Sequence, residues 1–122
     1  MIQDEPIFLK SIVMQTLPEE YMLVGDATVV QLIAQRDKPA EAVHVAGGHD
    51  FDLGATISLM AAAIGLTNSF LKIYIDWKNS RPKPPSVAEL VAAEAKSGVV
   101  RAAEVEQKKV AIATAVIEAA SR

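Results

Sequence analysis

Between Leu53 and Ile75 apolar residues recur at helical spacing on two sides of one segment. At about 100° per residue, Leu53, Ile57, Met60, Ile64, Leu71 and Ile75 share one arc, while Leu59, Leu66, Phe70, Ile73 and Trp77 lie roughly half a turn away. A surface helix needs a single apolar stripe, so a helix with two belongs between packed layers, at a subunit interface or in lipid. The pattern predicts one long central helix over 52–78. Gly47-Gly48-His49-Asp50-Phe51-Asp52 is the turn before it, with Asp50 or Asp52 as its N-cap.

Shorter elements precede it. Asp4 caps a first helix with Pro6 in its opening turn, and Phe8, Leu9, Ile12, Val13 and Leu17 supply its buried face. Pro18 ends that helix and opens a second, with Glu19 and Glu20 at its positive end and Gly25 at its C-terminal cap. Asp26 is the expected N-cap of a third helix carrying Val29, Val30, Leu32 and Ile33 to about Arg36, where Asp37-Lys38-Pro39 breaks it. The competing reading is a small antiparallel meander over 21–46, with strands at Tyr21–Val24, Thr28–Gln35 and Ala42–Ala46. Val29 to Ile33 does not alternate as a strand should, and the helical reading is preferred.

Pro82, Pro84 and Pro85 end the central helix, since each fixes φ and restricts the residue before it. Ser86-Val87-Ala88-Glu89 then has the form of a capping box and predicts a helix to about Lys96, stopped at Ser97-Gly98. A last helix spans Val99 to Ala120, with Val99, Ala102, Val110, Ala113, Ile117 and Ala120 at near-heptad spacing. Arg101, Glu104, Glu106, Lys108 and Lys109 are its expected solvated face. The fold class is therefore mainly α. A core over 1–81 is followed by a proline link at 82–85 and a helical C-terminal segment over 86–122, packed back or used in an oligomer; the α+β meander is the alternative.

Composition sharpens this reading. A low aromatic content of 5% alongside abundant Ala favours helices over sheets. Without cysteine there is no disulfide framework, thiolate metal site or cysteine nucleophile, which makes the cytoplasm the expected location. A net charge of −3, with acids interleaved among the bases, gives no nucleic-acid surface.

The central helix also has a third face. Gly54, Ser58, Ala61 and Gly65 are all small, and Asn68, Lys72 and Asp76 continue their line. Small residues at this spacing admit a second backbone, and the polar end can fix its register. With Val110, Ala113 and Ile117 of the last helix, Gly54, Ser58, Ala61, Gly65, Asn68 and Lys72 form the expected interaction surface. On this face a bulkier residue at Ala61 or Gly65 is expected to overpack. The plain alternative is that the Ala-rich last helix covers this face as core.

Other chemistry is thinner. His44, His49, Asp50 and Asp52 are metal-ligating residue types, but carboxylates before a helix also serve as caps, and the spacing is not diagnostic. Gly47-Gly48 lacks the lysine and the spacing of phosphate loops, and aspartates stand where a phosphate would sit. Leu53–Ile75 is long enough to span a membrane and has Tyr74, Trp77, Lys78, Arg81 and Lys83 at one end. Ser58, Thr67, Asn68, Ser69 and Lys72 argue against lipid. The expected function is a non-catalytic interaction or assembly module, a homo-oligomer or binder of another protein, with no cofactor. The alternatives are a small enzyme or metal-binding protein using His44, His49, Asp50 and Asp52, and a membrane-associated accessory protein.

Overall fold

A computed structural model of the chain describes residues 4–36, 51–97 and 103–121, with side chains from Gly54 onward in the second stretch. Among the described residues there are helices and no strands. The helices are α1 (Glu5–Thr16), α2 (Pro18–Val24), α3 (Asp26–Ala34), α4 (Phe51–Ser80), α5 (Val87–Ala95), α6 (Ala103–Gln107) and α7 (Lys109–Ala120). The protein is mainly α around one long central helix. Tyr21–Val24 and Thr28–Gln35, the first two strands of the meander alternative, lie in α2 and in α3 with its C-cap; Ala42–Ala46 falls outside the described residues.

Local chemistry explains most boundaries. The Asp4 carboxylate accepts from the Ile7 amide at 3.2 Å and opens α1. Leu17 closes α1 by donating its amide to Val13 O at 2.8 Å, and Pro18 starts α2 at a position where its missing N–H costs nothing. Gly25 then carries two helices at once. Its amide donates to Tyr21 O at 2.9 Å, its carbonyl accepts from Val29 N at 3.2 Å, and its φ of 88° is the only positive one among the described residues. The positive φ alone favours glycine there: no neighbouring atom crowds the position, but a side chain would be strained in that conformation.

Gly25 also takes the N-cap that Asp26 was expected to hold. Asp26 is the first residue of α3, and its carboxylate turns instead to Lys10 Nζ, 2.7 Å away, and to the Tyr21 hydroxyl, which donates to it. One surface carboxylate thereby ties α1, α2 and α3 together. The capping box of α5 forms as expected: Glu89 N donates to Ser86 Oγ at 3.2 Å and Ser86 N to Glu89 Oε1 at 3.0 Å.

α4 runs from Phe51 to Ser80, slightly beyond 52–78 at both ends, and its rise makes it about 45 Å long. Asp52 lies inside the helix rather than before it, and Asp50 is outside the described residues. α4 packs against each of the other six helices. Met60, Ile64 and Leu71 of the first stripe and Leu66 and Phe70 of the second are all fully buried. Two stripes were needed because helices cover α4 on both sides. α7 packs on α1, α4 and α5, burying Ile112, Ala113, Ala115 and Val116.

The last helix is not continuous over the described part of 99–120. It breaks at Lys108, whose amide donates to Val105 O at 3.1 Å, a tight turn, before Ile112 N returns to Lys108 O at 2.9 Å. Nor is the charged group uniformly solvated. Lys109 retains only 13% of its side-chain exposure, and its Nζ lies 2.9 Å from Glu94 Oε1 and 3.4 Å from Glu106 Oε2. Its ammonium is held above the ordinary lysine value, chiefly by the hydrogen bond to Glu94.

Candidate interaction surface

α4 presents its small-residue face unevenly. Toward the N-terminal end Gly54 is half-buried and Ser58 exposed; one turn on, Ala61 and Gly65 are half-buried. A Cβ placed on Gly54 or on Gly65 would meet no described atom within 4 Å. Among the described residues, therefore, a single added methyl on this part of the helix meets no packed contact. Next to it, Ala55, Thr56, Ser58, Leu59 and Ala62 face Glu104 of α6 across an open groove of about 370 Å³. Its lining is small and apolar, with two hydroxyls and one exposed carboxylate at the edges.

Further along, the same face closes. Asn68 is only 7% exposed, and its side-chain oxygen is buried without a hydrogen-bond partner among the described residues. Lys72 and Asp76 are exposed. Of the two residues expected to set the register of a partner helix, Lys72 is at the surface and Asn68 is enclosed. Thr67, beside it, donates to Ala63 O at 2.7 Å and needs nothing more.

The three α7 residues of the expected surface are separated. Ala113 is fully buried within the chain, Ile117 is half-buried against the core, and Val110 is 59% exposed. The helix turns Ile112, Ala113 and Val116 inward, leaving Val110 exposed at the flank of that face. Of the metal-ligating types, His44, His49 and Asp50 lie outside the described residues, as does the side chain of Asp52. Among the described residues no group of His, Asp and Glu is placed to share a metal ion.

Sequence pattern did not single out the exposed apolar side chains of the first three helices. Ile7 and Met14 of α1, Met22 and Leu23 of α2 and Val30 of α3 all stand at the surface, Met22 at 83% exposure. A signal was present. Met22-Leu23-Val24 is a run of three apolar residues on a seven-residue helix, and a helix can turn only part of such a run inward; Val24 is the one buried. At the other end of α4, the Arg81 guanidinium lies over the Trp77 ring at 3.7 Å, a cation–π contact at the helix C-terminus.

Gly54–Ser80 is long and apolar enough to cross a membrane by length and composition, and half of its most apolar window is buried inside the protein. The buried half of that window is what a helix enclosed by other helices requires. The chain matches no family model, no curated protein and no solved structure.

Proposed function

We propose that the protein is a non-catalytic interaction module that self-associates through the N-terminal half of α4. The observation that carries this reading is the open space beside Gly54 and Gly65, on a face where Ser58 is exposed and Ala61 only half-covered. An uncovered strip of small residues lets a second helix bring its backbone close and fill that space, so that association buries area the single chain leaves wet. The groove edged by Glu104 widens the same strip. Val110 and the exposed apolar residues of α1–α3 offer further contact area, and binding would be driven by burial rather than by charge. The cytoplasm is the proposed location, on the cysteine-free composition.

Light scattering coupled to size exclusion tests the reading. Wild-type protein should show a mass that is a multiple of 13.0 kDa. Ser58→Trp, at an exposed position, should return it to a monomer without lowering its melting temperature. A strict monomer across micromolar to millimolar concentration refutes self-association. Partition into lipid vesicles would favour a membrane-associated role instead.

A further inference from the structure

Each of the first three helices leaves bulky apolar side chains in water, and most of them gather around one polar contact. Lys10 of α1 lies 2.7 Å from the Asp26 carboxylate at the start of α3, and the Tyr21 hydroxyl of α2 donates to the same carboxylate. Ile7 and Met14 stand three residues before and four after Lys10, on its side of α1 and away from the buried Leu9, Ile12 and Val13. Val30 stands one turn beyond Asp26 on its side of α3, and Met22 follows Tyr21. A polar knot is thus ringed by Ile7, Met14, Met22 and Val30, of which Met14, the least exposed, still keeps 45%.

The charge around this ring has one sign. Residues 4–36 carry five carboxylates, Asp4, Glu5, Glu19, Glu20 and Asp26, against two cations, Lys10 and Arg36, a net −3. Both cations are engaged within the chain, Lys10 by Asp26 and Arg36 by Glu5 at 3.3 Å. Asp4, one turn before Ile7, and Glu19, one turn before Met22, are exposed. The apolar ring therefore has an acidic rim, and its partner is selected by sign as well as by area. An anionic bilayer would be repelled, and a second copy of the same patch would set carboxylate against carboxylate. The chemistry that matches is a helix with an apolar stripe bordered by Lys or Arg. Met14 and Met22 suit such a partner, because an unbranched thioether adapts to side chains of different shape.

We propose that the exposed face of α1–α3 around Lys10 and Asp26 is a docking surface for a basic amphipathic helix of another protein. The apolar stripe of that helix covers Ile7, Met14, Met22 and Val30, and its cations meet Asp4 and Glu19. Lys10 and Asp26, paired with each other, leave no single charge stranded beneath it. The inference does not rest on self-association through α4.

The probe is a fluorescent synthetic peptide of about 18 residues, leucine and lysine at amphipathic helical spacing, titrated with the full chain. One control replaces its lysines by glutamate, and a second keeps the composition but scatters the leucines. The lysine peptide should bind at least about tenfold tighter than either control, and less tightly as salt is raised. Met14→Gln with Met22→Gln should weaken it by about tenfold and Glu19→Lys by about threefold, both with an unchanged melting temperature. Peroxide footprinting locates the contact without any variant: saturating peptide should slow sulfoxide formation at Met14 and Met22 severalfold and leave the fully buried Met60 as it was. Failure of the lysine peptide to bind, equal binding of either control, or unchanged oxidation of Met14 and Met22 overturns the proposal. So does a wild-type oligomer that the methionine pair of substitutions dissociates, which would assign the face to a second copy, or vesicle binding lost in that variant, which would assign it to lipid.

Discussion

Replacing Gly65 by Ala gives opposite signs under the two readings of the small-residue face. If a neighbouring backbone or side chain already filled the space beside Gly65, the added methyl would overpack it and cost about 1 to 3 kcal/mol. The structure leaves that space open, with no described atom within 4 Å of the new Cβ. Gly65 lies in the interior of a thirty-residue helix, where glycine is about 0.8 to 1 kcal/mol worse than alanine. The residue is half-buried, so partial burial of the methyl adds a few tenths at about 0.8 kcal/mol per fully buried carbon. Gly65→Ala should therefore stabilise the dilute chain by about 1 kcal/mol, a rise of about 4 °C in Tm for a domain of this length. The same methyl stands in the proposed helix contact and should weaken association. Thermal melts at low and high protein concentration, with light scattering at each, separate the two effects. A lower Tm in the dilute sample would mean that the face is already filled, and would remove the basis for the interaction surface.

Three further outcomes test other parts of the structure. Asn68→Leu replaces an amide whose buried oxygen has no described partner, and should raise stability by about 1 kcal/mol by removing a desolvated acceptor; a fall in the urea midpoint would reveal a bond this arrangement does not contain. Phe70→Ala empties a fully buried site at the centre of α4 and should cost about 3 to 5 kcal/mol, read as a drop in the urea midpoint with little change in m; a loss below 1 kcal/mol would contradict its burial. The third concerns pH. The Lys10 hydrogen bond, followed by that of the Tyr21 hydroxyl, holds the Asp26 carboxyl below its ordinary value. A carboxyl lowered in the folded state contributes its stability above the unfolded value of 3.8 and loses it as pH falls through the folded value. Lys10→Met should therefore lessen the loss of stability on acidification, measured as urea midpoints between neutral pH and about pH 2. Superimposable acid limbs for the two proteins would show that the pair contributes nothing.

Features of the fold that depend on neighbours in sequence were legible in the chain. The Ser86–Glu89 capping box, the Pro18 helix start, the Gly25 junction and the two stripes of α4 each follow from residues within a few positions of one another. Asp26 was misplaced by one position because glycine can also cap a helix, and the carboxylate had stronger partners in Lys10 and Tyr21, distant along the chain or on another helix. Glu94 carried a sequence signal. It continues the Val87, Leu90, Val91 face of α5, and a charge on a core face announces a buried partner. Which partner was not legible, since Lys109 comes from another helix across a turn. Of the interaction surface, the run of small residues was visible in sequence, but its open and closed halves were not.

The order of apolar residues, prolines, glycines and caps by itself determined that this protein is helical, where most helices begin and end, and that its longest helix must be enclosed. Those are consequences of steric and hydrogen-bonding preferences acting within a few residues. Tertiary structure alone decided which helices enclose α4, that its small-residue face is open at Gly54 and Gly65 yet closed at Asn68, and that Lys109 points inward. These are outcomes of packing between segments far apart in the chain, which no short stretch of sequence records.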